Sequence, residues 1–196
     1  MTALRKPVSQ SDLDRLHGVE SIKLPPHSIE CEQSVLGALL LENTAWDQVG
    51  DLIAEADFYR ADHRVIWRAI AHLAGNSSPA DAISVAEWLE RDQKLEAAGG
   101  MTAIAGLAAN SAGAANIRYY AGIVRDRAVL RRLAATCSEI QDRVYSPGQM
   151  ETAQIVDQAQ AQIMAVAQGA QSSAGFEPVF GAMKRAIDGM GRMGMP

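Results

Sequence analysis

The sequence predicts an all-α protein: a compact multi-helix head, a protruding antiparallel helical hairpin after it, and then a linker helix. Apolar residues recur at helical spacing through most of the chain. No stretch alternates apolar and polar residues as a half-buried strand does. From Asn116 onward the apolar residues fall into a heptad repeat too long to be folded back into a small head.

Composition bounds the function. A chain of 196 residues that is 48% hydrophobic can bury one core and carry appendages, but has no room for two large enzymatic domains. Its formal net charge of −5 argues against a surface that wraps nucleic acid by neutralising phosphates, so any DNA role is expected to be indirect. Cys31 and Cys137 are far apart and have no second cysteine or histidine at ligand spacing, which suggests neither a zinc site nor a disulfide scaffold and points to a reducing cytoplasm. No window approaches the roughly 18 apolar residues that span a bilayer.

Residues 1–26 read as a disordered polar tail ending in Leu24-Pro25-Pro26. The head is expected over residues 27–115. Ser28 is placed to cap a first helix, with Glu30 and Glu32 near its positive end and Ile29, Val35, Leu36, Leu39 and Leu40 on its buried face. Asn43-Thr44 starts a short second helix that buries Trp46, Val49, Leu52 and Ile53. A third is expected over residues 61–73, burying Val65, Ile66, Trp67, Ile70 and Leu73, with Phe58 and Tyr59 packing the turn before it. Ser84-Val85-Ala86-Glu87 has the form of a capping box, Ser84 as N-cap and Glu87 closing it, flanked by Ile83 and Trp88 as a hydrophobic staple. Gly99-Gly100 breaks the chain before a helix over residues 101–109, and a turn follows.

The hairpin is expected over residues 116–168. Ile123, Leu130, Cys137 and Val144 recur every seven residues with Leu133 and Ile140 between them, a coiled-coil seam that Asp126 interrupts near its start. Ser146-Pro147-Gly148 stops that helix, and a second follows over residues 151–168 with Ile155, Ala159, Ile163 and Val166 on one side. Residues 169–196 read as a flexible linker over Gly169 to Gly175, then a linker helix with Phe180, Met183 and Ile187 aligned.

A search for chemistry yields little. Gly189, Gly191 and Gly194 have the spacing of a dinucleotide fingerprint, but they follow a helix rather than a strand, so the pattern carries no nucleotide reading. A Walker A loop is absent, and so are the paired Glu-x-x-His motifs of di-metal bundles. His17, His27 and His72 read as surface or capping residues. The one dense constellation, Ala56 to Ile70, gathers two acids, a histidine and three arginines; Asp57, His63 and Arg64 are expected to form a structural polar cluster, with Asp57 or Asp62 orienting His63 and Arg64. No catalytic, cofactor-binding or metal-binding residue is assigned.

Several stretches, taken in order, carry a resemblance. They are Leu24-Pro25-Pro26-His27-Ser28-Ile29-Glu30 through Gly37, Asp57-Phe58-Tyr59 with His63-Arg64-Val65-Ile66, Pro79 through Val85, Gly99-Gly100, and Ala115-Asn116-Ile117 through Leu130-Arg131-Arg132-Leu133. Together they resemble the N-terminal domain of the DnaB-like bacterial replicative DNA helicases over about residues 24–168. The resemblance implies a non-catalytic collar that pairs subunits through its hairpins into a trimer of dimers, recruits a DnaG-type primase, and joins the ATPase domain of a neighbouring subunit through a linker helix. It implies a subunit or primase interface over Ile123, Leu130, Leu133, Ala134, Cys137, Ile140 and Val144. ATP and Mg are expected only for an ATPase domain beyond this chain, of which the sequence would then be a fragment, and DNA is touched only indirectly. Ala103 and Ala134 depart from the larger residues common in relatives, which bears on primase contact. The competing reading is a small all-α DNA-binding or metal-binding protein unrelated to helicases, resting on Arg125 to Arg132 or on Asp57, Asp62, His63 and Arg64.

Overall fold

After two prolines the chain is extended at Ser28, whose hydroxyl accepts the Cys31 amide at 3.4 Å, and helix α1 runs Ile29–Leu41. The structure, a computed structural model, describes residues 24–172. The run Val35 to Leu40 is buried without a break, so all sides of α1 are covered and it forms the axis of the head.

The other elements wrap that axis. A 3₁₀ turn over Asn43–Ala45 leads into α2, Trp46–Val49. The expected second helix is therefore shorter than its apolar pattern. It ends at Gly50, where a Cβ would lie 2.8 Å from the Trp46 indole, while Ile53 reaches the core from a turn. A second 3₁₀ turn, Glu55–Asp57, precedes α3, Ala61–Gly75, which buries His63, Ile66, Trp67, Ala69 and Ile70. Val65 and Leu73 are half-buried at the edge of that face. The Trp67 ring sits 5.0 Å from Trp46 and 5.1 Å from Phe58, centroid to centroid, an aromatic layer that fixes α2 and the 58–60 loop against α3.

Helix α4, Ala82–Arg91, begins earlier than its sequence pattern suggests. Asp81, not Ser84, is the N-cap: one carboxylate oxygen accepts the amides of Ile83 at 2.9 Å and Ser84 at 3.0 Å, and Ser84 lies inside the first turn, donating its hydroxyl to Asp81 at 3.2 Å. Glu87 instead faces solvent and pairs with Arg91 one turn on, and Ile83 is exposed rather than stapled. A carboxylate three residues before Ser84 is the stronger anchor, because it takes two amides at the positive helix end.

A 3₁₀ turn over Glu96–Ala98 ends at Gly99, left-handed at φ 86°, before α5, Gly100–Ala109. Helix α5 lies directly on α1, with Gly37 at the crossing: a Cβ there would stand 2.3 Å from the Leu107 carbonyl oxygen. Helix α6, Ile117–Tyr145, buries Ile117, Ala121, Val124, Arg125 and Ala128 against the head and then leaves it. Its outer half pairs with α7, Thr152–Ser172, the Arg143 guanidinium donating to Gln158 at 2.7 Å and the Gln162 amide to Glu139 at 3.4 Å. Ile163 is exposed, and Gln162 with Ile155, Ala159 and Val166 makes the inward side, one position off the expected stripe. Helix α7 also continues through Ser172, so the stretch from Gly169 expected as flexible is helical at its start. Among the described residues the seven α-helices and three 3₁₀ turns stand without any strand, as the all-α reading requires. The 1–23 tail, Phe180, Met183, Ile187 and the terminal glycines lie outside the described residues.

Gly37→Ala is expected to lower stability by about 1–3 kcal/mol through overpacking of α1 on α5, measured as a lower urea midpoint. Asp81→Ala is expected to cost about 1 kcal/mol and Ser84→Ala much less. Hydrogen bonds from the Ser84 amide, then the Ile83 amide and the Ser84 hydroxyl, hold the Asp81 carboxyl below the usual aspartate range. Its folded value lying lower than its unfolded one, the cap contributes fully above the ordinary aspartate value of about 4 and is lost as pH falls through the depressed value. Acid unfolding followed by circular dichroism should therefore show a shallower acid limb in Asp81→Ala than in the parent chain.

Candidate functional site

The polar centre of the head is organised by Glu32, a carboxylate on α1 that is only 1% exposed. It stands on the same helical face as Val35, Leu36 and Leu39, so α1 carries it into the core. Its Oε1 accepts the Tyr59 amide at 2.6 Å, while Oε2 accepts the Arg60 amide at 3.4 Å and faces His63 Nδ1 at 2.8 Å. An ionised carboxylate can only accept, so in that state of Glu32 the Nδ1 it faces is the donor. A buried charge is thereby answered on both oxygens, as burial requires.

The same 57–60 loop is gripped from its other side by arginines. Arg64 Nε donates to the Phe58 carbonyl at 2.6 Å. From α6, Arg131 donates to the Asp57 carbonyl at 2.5 Å and to the Pro26 carbonyl at 2.8 Å, and its guanidinium lies 5.7 Å from the centroid of the Tyr59 ring. Tyr59 in turn stacks on His27 at 4.3 Å. Burial pushes the Arg131 guanidinium down from its usual value. Arg132 reaches the Asp57 carboxylate at 3.3 Å, and the other Asp57 oxygen accepts the Ala54 amide at 2.8 Å. Asp62, in the first turn of α3, accepts the His63 amide at 2.9 Å and pairs with Arg60 at 2.5 Å; that guanidinium holds the Asp62 carboxyl below the usual carboxylate range.

Asp57, His63 and Arg64 thus sit around one loop without bonding to one another. The partner of the His63 ring is Glu32, and neither Asp57 nor Asp62 orients that ring. Two central residues escaped the sequence reading. Glu32 had a signal, since a glutamate at the core-facing position of an apolar helix is already anomalous, but its place in the first turn also suited a dipole role. Arg131 had none, because its contacts span 74 and 105 residues of chain.

On the hairpin, Leu130, Leu133, Ala134, Cys137 and Val144 are exposed, while Ile123 and Ile140 are half-buried. Leu130 is 43% and Val144 57% exposed. Among the described residues no three His, Cys, Asp or Glu side chains converge as metal ligands would. What this geometry does chemically is hold: it locks a loop, a helix start and the base of the hairpin into one rigid joint.

Head and hairpin together define a helical module built around a structural polar joint. Residues 24–126 match the model of the DnaB-like helicase N terminal domain, and the chain belongs to that family. It is 36% identical over 166 residues to the replicative DNA helicase DnaB of Pasteurella multocida, covering 84% of this chain and 36% of that protein. It is 38% identical over 154 residues to the replicative DNA helicase DnaB of Geobacillus stearothermophilus, covering 79% of this chain and 34% of that protein. The chain therefore spans about a third of the length of these curated relatives. The crystal structure of the N-terminal domain of DnaB helicase from Mycobacterium tuberculosis superposes with a TM-score of 0.69 at 39% identity, covering 73% of this chain and 99% of that one.

Glu32→Ala, which strands the His63 ring and two amides, is expected to cost about 3–5 kcal/mol in urea denaturation, with Glu32→Gln losing less because it can still accept the amides.

Proposed function

We propose that this chain is the collar tier of a replicative DNA helicase: it pairs subunits through the α6–α7 hairpin, builds a ring as a trimer of dimers, and presents a surface to a DnaG-type primase. The observation that carries this reading is the apolar face of the hairpin. Leu130, Leu133 and Val144 on α6 are open to solvent, and so are Val156, Ile163 and Met164 on α7. Large apolar side chains at heptad spacing on a two-helix arm need a second surface to cover them. Another hairpin of the same kind supplies a self-complementary one.

Family membership and the names of the relatives support placing the tier on a helicase. In this reading the chain itself performs no catalysis. ATP and Mg serve an ATPase domain of the parent protein, the segment carrying Phe180, Met183 and Ile187 packs on a neighbouring subunit, and DNA is met through the ring. The site of action is the replication fork in the cytoplasm; no helix among the described residues is long and apolar enough to cross a membrane.

Light scattering of the isolated chain is expected to give a dimer or a multiple of it. The double variant Leu130→Asp, Leu133→Asp is expected to give a monomer of unchanged helicity. A parent chain that stays monomeric at high concentration overturns the pairing, and a primase that binds the parent chain and the monomeric variant equally removes the hairpin from that contact.

A further inference from the structure

We draw no further inference here: the strongest candidate, the groove of about 450 Å³ between α6 and α7 beside the buried Gln162 Oε1, which has no hydrogen-bond partner among the described residues, lies on the hairpin already proposed as a subunit and primase surface, and nothing in the structure shows what covers it.

Discussion

The buried carboxylate of Glu32 is the constraint on which the head depends. A charge this deep is tolerated only if each oxygen is met by donors, and the donors available are the amides of Tyr59 and Arg60 and the ring of His63. Meeting that demand fixes where the 58–60 loop runs and where α3 begins. It also sets the height of Phe58, which closes the aromatic layer with Trp67. An apolar residue at position 32 could fill the space, but it would leave those amides without acceptors.

Because the loop is pinned from inside by Glu32, its carbonyls are turned outward. Arg131 and Arg64 take them, and through Arg131 the base of α6 is registered against the N-terminal entry at Pro26 and the Tyr59 ring. The hairpin is therefore not merely a continuation of a helix. Its angle to the head is fixed by a guanidinium whose planar fork meets two carbonyls and an aromatic face together, which a lysine could not do.

The fold was largely legible in the sequence where local physics decides. Ser28 as a cap, the stop at Ser146-Pro147-Gly148 and the amphipathic face of α3 depend on residues a few positions apart, and the all-α architecture follows from them. Legibility failed where two local solutions compete or where partners are distant. Ser84 and Glu87 satisfied the spacing of a capping box, yet Asp81 binds the same amides with a full charge, and the boundary moved accordingly. The polar cluster was legible as a region but not as a set of bonds. Asp57 and His63 are near in sequence, yet the loop turns them to different partners, and the acceptor His63 finds lies 31 residues upstream.

The surface of the molecule then divides by whether its chemistry is answered internally. In the head nearly every buried polar atom has a partner, Arg60 and Asp62 answer each other, and the loop is closed on both faces. One place differs in kind. The hairpin leaves a row of large apolar side chains in water, a demand for area that only a broad, shape-matched surface meets. That arm is registered against the head by the joint at Glu32 and Arg131, so its apolar row stands at a fixed angle to the head rather than swinging free.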